Sequence, residues 1–449
     1  MINIKLLGDL PSVINMPVHT SKHYYFSVDN RKLDSESIFI AIIGERFNPL
    51  EHLDKVIDRE CEYVVYEKND KSDEVVKDFR NKIQFIEVNN ITKFIQESAS
   101  LVASCFRAKG GRIIAISGSN GKTTTKEMLF HLLSDCHSKD KIICTQKNNN
   151  NHLGVPFTLY QINKDTRFAI IELGSNHPGE IEFLCKIVQP QYGVTTNIGD
   201  THLEFFETRE NVYKEESVLY KYCSETFYIN MDDEYLKRLH DHGQEFGEEA
   251  SSNKLELIPG GIRVNDIELS HETLTGKHNF INMAVAFIIA RDMDDCSVQN
   301  IIKSVKTFKT TPNRSQWIER GNQKVFLDAY NANPSSMRVS IAGFQDFLTT
   351  NKISYSDAAI IIGDMNELGT NEATFHIELG KFLQEHSVKN CFFVGRFAED
   401  YLAGFGDDAR TYSTSEEVRN EYEEVFGQYK YIFIKGSRSL QLEVILDIK

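Results

Sequence analysis

The hydrophobic and polar positions of this chain alternate between short apolar runs and longer amphipathic stretches. From residue 112 onward the apolar runs "RIIAIS", "FAIIELG", "YGVTTN" and "TFYIN" are separated by helix-like segments such as "KEMLFHLL". Short apolar runs that alternate with helical segments are typical of βαβ units on a parallel sheet. The stretch "GIRVNDIEL" predicts a β-hairpin added to this sheet, and "NFINMAVAFIIARDM" predicts a helix after it.

Two polar segments divide the chain into three predicted domains. The first part contains the β-like runs "SIFIAII", "CEYVVYE" and "QFIEV", then a helical stretch, and "KGGR" is a predicted hinge after them. The segment "KTTPNRSQW" is a second predicted hinge, beyond which the alternation restarts with "KVFLDAY", "AAIIIGD" and "YIFIKGSRS". We therefore predict an α/β protein with domains at 1–108, 109–311 and 312–449. Three domains suit a chain of 449 residues.

Composition narrows the class of protein and its compartment. The formal charge of −15 argues against nonspecific nucleic-acid binding, which depends on clustered Lys and Arg. No apolar stretch approaches the roughly 20 residues of a membrane span, and the N-terminus lacks the apolar core of a signal peptide. The eight cysteines include no C-x-x-C pair, which predicts free thiols in a reducing cytoplasm.

The segment "GSNGKTTT" carries the most specific chemistry in the chain. It follows the strand-like "RIIAIS" and opens a helix. Gly118 and Gly121 allow a tight turn whose N–H groups face phosphate oxygens, Lys122 supplies charge, and the hydroxyl of Thr123 suits Mg²⁺. Ile116 stands where the longer Walker motif has glycine, so the shorter loop points to a narrower class of ATP-using enzymes.

Candidate metal ligands follow two later strands. Glu172 ends the run "FAIIE", and His202 and Glu204 lie just beyond "YGVTTN". Strand ends of α/β sheets present ligands, which favours a metal site there, although a single loop histidine is more often solvated. Lys214 in "NVYKEESVLY" has, on local grounds, the pattern of a surface lysine.

Several separate stretches together resemble the Mur ligase family. They are "GSNGKTTTKE", "TQKNNNNHLGVPFTL", "IELGSNHPGEI", "TTNIGDTHLEFF", "TGKHNFINMAVA", "DAYNANPSSM", "IIGDMNELG" and "IKGSRSLQLE", and they extend over nearly the whole chain. Of these, "YNANPSSM", "GDMNELG" and "KGSRS" are typical of the family member that adds a dipeptide. The segment "SVDNRKL" resembles the uridine-nucleotide motif, with Asn30 where the family has serine. Leu327 stands where the family often has a second aspartate.

The resemblance implies a three-domain α/β fold: a small uridine-nucleotide domain, a central P-loop ATPase with a parallel sheet, and a C-terminal Rossmann-like domain. It implies ATP and Mg²⁺ as cofactors. The implied nucleotide contacts are Gly118, Ser119, Asn120, Gly121, Lys122, Thr123, Thr124, His278, Asn279, Asn282, Arg314 and Asp328. The implied metal ligands are Thr123, Glu172, His202 and Lys214, the last carried as a carbamate. Lys122, His202 and Lys214 are the implied catalytic set.

The implied substrates are a UDP-N-acetylmuramoyl-tripeptide and D-alanyl-D-alanine, joined as an amide through an acyl phosphate. Their implied contacts are Asp29, Arg31, Asn148, Asn150, Asn151, Tyr330, Asn331 and Asn333. On residues alone, the pattern of the asparagine-rich segment favours a polar loop over a substrate contact. The family also implies a cytoplasmic monomer in peptidoglycan precursor synthesis.

Four other functions are open at this point. A ligase that adds the third amino acid shares the ATP apparatus but has a different acceptor motif. Folylpolyglutamate synthetase shares the central domain without a uridine domain. A non-catalytic nucleotide-binding relative would have lost one of the polar site residues, and a P-loop kinase does not fit the short loop or the third domain.

Overall fold

The computed structural model describes residues 1–17, 20–293 and 296–447, and its strands form three separate sheets. The first sheet has the order β1-β3-β4-β5-β6-β2, with parallel strands β3 to β6 and antiparallel edges. Its strands are β1 (Ile2–Asn3), β2 (Val13–Asn15), β3 (His23–Ser27), β4 (Ser37–Ile40), β5 (Tyr63–Glu67) and β6 (Gln84–Val88). The helices of this region are α1 (Leu53–Ile57), α2 (Asp70–Lys77) and α3 (Ile91–Ala108).

The second sheet has nine strands in the order β15-β14-β13-β12-β11-β10-β7-β9-β8. They are β7 (Arg112–Ser117), β8 (Ile142–Cys144), β9 (Phe168–Glu172), β10 (Tyr192–Thr195), β11 (Thr226–Asn230), β12 (Gln244–Gly247), β13 (Asn253–Ile258), β14 (Gly261–Val264) and β15 (Ile267–Ser270). The helices are α4 (Lys122–His137), α5 (Gly154–Leu159), α6 (Glu180–Val188), α7 (Leu203–Phe206), α8 (Arg209–Ser217), α9 (Lys277–Asp292) and α10 (Val298–Val305). Strands β7 to β12 are parallel to their neighbours, and β14 pairs antiparallel with β15, which confirms the predicted hairpin.

The third sheet has the order β16-β17-β21-β18-β19-β20. Its strands are β16 (Gln316–Arg320), β17 (Gln323–Asp328), β18 (Ala358–Gly363), β19 (Cys391–Val394), β20 (Arg410–Tyr412) and β21 (Tyr431–Lys435). The helices are α11 (Pro334–Thr350), α12 (Glu372–Glu385), α13 (Ala398–Phe405), α14 (Ser415–Asn420) and α15 (Tyr422–Phe426). All pairs are parallel except β16 with β17, an edge hairpin that the sequence pattern did not predict.

Apolar burial explains why these strands are continuous hydrophobic runs. In β7 the side chains from Ile113 to Ile116 are completely buried, because helices cover both faces of the sheet. Helix α3 packs against both the first sheet and helices α5 and α6 of the second unit. Its Ser98 hydroxyl lies 2.7 Å from the hydroxyl of Tyr160. The first two sheets therefore share one hydrophobic core.

No helix in the described ranges is both long and apolar enough to cross a lipid bilayer.

One expectation about the cysteines, that all eight are free thiols, is wrong. Cys136, at the end of α4, forms a disulfide with Cys296, before α10, with Cα atoms 5.6 Å apart. The other six cysteines are free thiols. The pairing partners are 160 residues apart in sequence, so no local spacing could reveal them.

We predict that this disulfide stabilises the central domain. Closing a loop of 160 residues restricts the unfolded chain, so Cys136→Ser should lower the free energy of unfolding by about 2–4 kcal/mol. Denaturant titration with and without a thiol reductant measures the loss, and Cys105→Ser, at a free cysteine, is the matched control. Alkylation of eight thiols in the unreduced, unfolded protein would show that the disulfide does not form.

Candidate active site

The phosphate-loop segment forms a turn that only glycine fits at two positions. Gly118 has φ of 119° and Gly121 has φ of 83°, both in the left-handed region. A Cβ on Gly118 would lie 2.8 Å from the backbone nitrogen of Thr196. A Cβ on Gly121 would lie 2.7 Å from Oδ1 of Asn282, one of the predicted nucleotide contacts. The turn leads into α4 directly at Lys122.

The loop after β10 and helix α8 hold this loop in shape. The buried Glu216 carboxylate accepts a hydrogen bond from the Gly118 N–H at 2.7 Å. The carbonyl oxygen of Asn120 accepts from the Thr196 hydroxyl at 2.6 Å and from the Asn197 amide at 2.8 Å. These partners follow β10 or lie on α8, so the loop is fixed by segments far along the chain.

The three residues that open α4 have different surroundings. The ammonium of Lys122 donates to the carbonyls of Gly118 and Ser119, so its side chain lies over the loop. The buried Thr123 hydroxyl donates to Oε2 of Glu172 at 3.0 Å. Thr124 is half-buried in the same turn. A hydroxyl and a carboxylate in contact are oxygen ligands of the kind that Mg²⁺ prefers, so these side chains fit the implied metal.

Glu172 has two further partners, one of which sequence analysis missed. Its Oε1 accepts from the Asn150 amide at 3.0 Å. Lys126 is completely buried, donates to the carbonyl of Thr145 at 2.6 Å, and places its ammonium 3.5 Å from Oε2 of Glu172. Burial favours the neutral amine, but Glu172, with Cys144 and Glu127, outweighs it and holds the pKa of Lys126 above its usual value. The sequence did not predict that Lys126, a helical lysine one turn after the loop, is buried against Glu172.

His202 lies apart from Glu172 and faces the C-terminal domain. It is the N-cap of α7, with φ of 51°, and its Nδ1 lies 2.6 Å from Oε2 of Glu367. The two atoms are close, but their geometry is not that of a directed hydrogen bond. Contact with His202 lowers the pKa of Glu367, an effect that burial only partly opposes. Sequence analysis did not single out Glu367.

Lys214 is exposed on α8 and lines a cavity of about 380 Å³. Phe205, Phe206 and Asn211 also line it. In the described part of the chain Lys214 forms no hydrogen bond or ion pair. A second cavity of about 220 Å³, lined by Asn151 and His152, adjoins the first, since both include Pro178 and Gly179.

The predicted nucleotide contacts of the C-terminal domain bind to their own domain. The Asp328 carboxylate accepts from the Lys435 ammonium at 2.6 Å and from the Ser340 hydroxyl at 3.1 Å. Arg314 stacks over Tyr330, with the guanidinium carbon 3.7 Å from the ring centre. Burial would raise the pKa of Asp328, but Lys435 outweighs it and keeps that pKa below its usual range.

The segment "YNANPSS" meets the phosphate loop across the domain boundary. Asn333 caps α11 and donates from its amide to Oδ1 of Asn120 at 2.8 Å, while Asn120 donates to the Ser335 hydroxyl at 3.1 Å. The carbonyl of Asn331 accepts from Lys435 at 3.1 Å. The hydrogen bonds of Asn120 with Asn333 and Ser335 join two motifs that lie more than 200 residues apart.

The remaining predicted substrate residues lie in two other places. Asp29 and Arg31 form a two-bond ion pair on the first domain, at 2.8 and 2.9 Å, and the hydrogen bonds from Arg31 lower the pKa of Asp29 to about 2. Asn151 accepts a hydrogen bond from the N–H of Gly154, the first residue of α5, and Asn148 is exposed. Asn279, one of the predicted nucleotide contacts, is buried and donates to the carbonyl of Thr275.

The structure thus brings together Thr123, Glu172 and Asn150, and separately His202 with Glu367. No hydrogen bond or ion pair links Glu172 to His202 or Lys214 within residues 1–17, 20–293 and 296–447. Over the same ranges, no three His, Cys, Asp or Glu side chains form a ligand cluster. The predicted four-residue metal set therefore stays a prediction.

We predict that His278 makes stability fall in acid. Burial lowers its pKa to about 4, with Asp328 opposing and Lys435 assisting, while an unfolded histidine titrates near 6.5. Between those values the unfolded state binds the extra proton, so stability is lost as pH falls from about 6.5 to 4. The side chain is half-buried, with Nδ1 enclosed, so solvent screens part of this loss of stability.

From pH 7 to pH 5 the wild type should lose about 1 kcal/mol more unfolding free energy than His278→Gln. Denaturant titrations at both pH values measure this difference. His23→Gln, at an exposed position of β3, is the matched control. Parallel pH profiles for the wild type and His278→Gln would contradict the prediction.

Two family models match this chain. The Mur ligase middle domain matches residues 116–290, and the Mur ligase, glutamate ligase domain matches residues 313–438, together most of the chain. UDP-N-acetylmuramoyl-tripeptide–D-alanyl-D-alanine ligase of Bacillus subtilis (strain 168) is 28% identical over 448 residues, covering 94% of this chain and 92% of that protein. The ligase of the same name from Rickettsia prowazekii (strain Madrid E) is 28% identical over 460 residues, covering 97% and 96%.

Solved structures agree with this fold. MurF from Acinetobacter baumannii superposes with a TM-score of 0.77 at 26% identity, covering 94% of this chain and 92% of that one. MurF ligase from Thermotoga maritima, in complex with ADP, gives a TM-score of 0.77 at 22% identity, which supports the fold. The predicted three-domain α/β architecture is confirmed, and the chain belongs to the Mur ligase family.

Proposed function

We propose that this chain is an ATP-dependent ligase that joins D-alanyl-D-alanine to the terminal carboxylate of a UDP-N-acetylmuramoyl-tripeptide. The observation that carries the proposal is the contact between the phosphate loop and "YNANPSS", through Asn120 and Asn333 at 2.8 Å. It places the motif typical of the dipeptide-adding member beside the ATP-binding loop. Relatives that carry this activity in their names match 92–96% of their own length.

The reaction needs an activated carboxylate, because oxide is a poor leaving group. The γ-phosphoryl group of ATP passes to the carboxylate oxygen, and ADP leaves. The amine of D-alanyl-D-alanine then attacks the carbonyl carbon of the acyl phosphate, inorganic phosphate leaves with the C–O bond electrons, and the amine loses a proton. Catalysis of this kind is mainly positioning and charge neutralisation.

The residues of this chain supply those two effects. The N–H groups of the turn from Gly118 to Gly121 cradle phosphate oxygens, and Lys122 neutralises them. Thr123 and Glu172 would hold Mg²⁺, and His202 and a carbamate on Lys214 would hold a second ion. Bound Mg²⁺ lowers the repulsion between carboxylate and triphosphate. Two further sets of contacts stay predictions. They are the ATP contacts of Arg314 and Asp328, and the nucleotide pocket formed by His278, Asn279 and Asn282.

The substrate and the setting of the enzyme follow from the same proposal. The uridine nucleotide binds the first domain near Asp29 and Arg31, and the tripeptide extends toward Asn150 and the two adjoining cavities. Pro178 and Gly179 line both cavities, while Asn151 lines one and Lys214 the other. We place the domains at 1–108, 109–311 and 312–449, in a monomeric cytoplasmic enzyme.

A coupled assay of ADP release tests the proposal directly. With the UDP-sugar tripeptide, ADP release should require D-alanyl-D-alanine, and Lys122→Ala should lower the rate by about 100-fold or more, because a phosphate-neutralising cation is lost. Lys164→Ala, at an exposed position, is the matched control. ADP release that does not depend on D-alanyl-D-alanine would reject this function. ADP release that instead needs a single amino acid and a UDP-sugar dipeptide would also reject it, in favour of a ligase that adds the third residue.

The carbamate on Lys214 has a separate test. An exposed lysine with no ion-pair partner among the described residues, on the wall of a cavity, is accessible to CO₂. The resulting anion suits a hard cation, which an ammonium would repel. We expect Lys214→Ala to lose about 100-fold in rate and to regain part of it with added formate or acetate. Lys221→Ala is the control, and full activity of Lys214→Ala without added anions would contradict the carbamate.

A further inference from the structure

Helix α8 contacts both the phosphate loop and the wall that the two cavities share. Its residues Glu215 and Glu216 are buried, with exposed fractions of 7% and 2%. Successive residues of an α-helix point about 100° apart, so two neighbouring carboxylates reach different segments of the chain. Each carboxylate here accepts hydrogen bonds from backbone N–H groups, and those groups belong to different parts of the site.

Glu216 joins α8 to the phosphate loop. Its Oε2 accepts from the N–H of Gly118, the first residue after β7, at 2.7 Å. The carbonyl oxygen of Glu216 accepts from the hydroxyls of Ser117 at 2.9 Å and Thr195 at 3.1 Å, at the ends of β7 and β10. The side chain of Glu216 therefore holds the loop, and its main chain holds α8 against the edge of the sheet.

Glu215 joins the same helix to the wall of the cavities. Its Oε2 accepts from the N–H of Gly179 and its Oε1 from the N–H of Ile181, both at 2.7 Å. Gly179 is the N-cap of α6 and has no side chain to cap the helix, so a carboxylate from α8 takes that part. Gly179 lines both cavities, and Glu215 lines the larger one beside Lys214.

The distance between these two attachments matters for the formation of an acyl phosphate. The substrate carboxylate must lie next to the γ-phosphoryl group, and a misplacement of about 1 Å can lower the rate about 100-fold. We propose that α8 fixes the cavity wall relative to the phosphate loop, with Glu216 as a positioning residue for the nucleotide and Glu215 for the acyl substrate. This rests on the proposed function, which places the tripeptide in the two adjoining cavities.

A role in stability alone would give a different result. Removing either carboxylate leaves buried N–H groups without an acceptor, which lowers the free energy of unfolding at both positions. A general loosening of this kind would weaken nucleotide and tripeptide equally, or weaken neither. Positioning by α8 instead requires that each carboxylate affects the binding of one ligand.

Isothermal titration calorimetry of the full-length protein, with ADP and separately with the UDP-N-acetylmuramoyl-tripeptide, measures both affinities. We expect Glu216→Gln to weaken ADP binding by about 10-fold and to leave tripeptide binding within twofold of the wild type. Glu215→Gln should show the reverse pattern. Glutamine keeps the shape of the side chain but replaces one acceptor oxygen with an amide group that only donates.

Glu210→Gln is the matched control. Glu210 lies on the same helix in an exposed ion pair with Arg238, so both affinities should stay within twofold of the wild type. Glu215→Asp and Glu216→Asp keep the charge on a shorter side chain and should each recover part of the lost affinity. Packing alone would make the Asp variants worse than the Gln variants. If a Gln variant does not fold, the Asp variant at that position should show the same selective loss to a smaller extent.

The ligase assay adds a readout of the chemical step. At saturating ATP, tripeptide and D-alanyl-D-alanine, Glu215→Gln and Glu216→Gln should each lower kcat by about 10-fold, because the reacting groups are then bound but misplaced. Glu210→Gln should keep the kcat of the wild type within twofold.

An equal loss of both ligands in Glu215→Gln or Glu216→Gln, or normal affinity for both ligands in either variant, would overturn the proposal. The outcomes separate it from the proposed function. A wild type that shows the two selective losses on substitution but does not ligate D-alanyl-D-alanine would reject the function alone. A wild type that ligates, while neither variant shows a selective loss, would reject this inference alone.

Discussion

The parallel central sheet brings the polar groups of the site to one edge, and the rest of the site depends on that geometry. Strands β10, β7 and β9 are adjacent, and all of them end on the same side. The phosphate loop follows β7, Glu172 ends β9, and Thr196 follows β10. Because these strands are fixed by buried apolar side chains, hydrogen bonds such as Thr123 to Glu172 require no reorganisation of the backbone.

Buried charge at this edge is balanced by the protein itself. Lys126 and Glu172 are both buried, with their charged atoms 3.5 Å apart. An isolated charge at either position would be costly, and removing one partner of a buried pair is strongly destabilising. Lys126 therefore balances the charge of Glu172, whose place among the metal ligands stays a prediction. The buried carboxylate of Glu216 also contacts the loop, where it accepts a hydrogen bond from the Gly118 N–H.

The C-terminal domain completes the site through a few polar contacts. Asn333 and Ser335 bind Asn120 of the phosphate loop, and Glu367 contacts His202. Close backbone approach accompanies them, since a Cβ on Gly343 of α11 would lie 3.2 Å from the Cα of Gly276. Contacts of this polarity can form and separate as domains move, which a shared apolar core such as that around α3 cannot do.

The sequence by itself determined the elements and the chemistry that local patterns encode. The buried runs of β7 and β9, the β14–β15 hairpin and the glycine turn before Lys122 were predicted correctly, because periodicity and turn residues are properties of neighbouring positions. Family motifs indicated which residues belong to the site. Edge strands such as β16 were missed, because short, half-buried strands carry little hydrophobic pattern.

Only the tertiary structure decided which distant residues meet. The Cys136–Cys296 disulfide, the burial of Lys126 against Glu172 and the contact of His202 with Glu367 join residues separated by 46 to 165 positions. Sequence spacing has no bearing on such pairs, since they depend on how helices and sheets pack. The same is true of Asp328, which the fold pairs with Lys435 and whose contact with ATP stays a prediction. Local sequence determined which helices and strands form, and the packing of whole domains determined which distant residues contact each other.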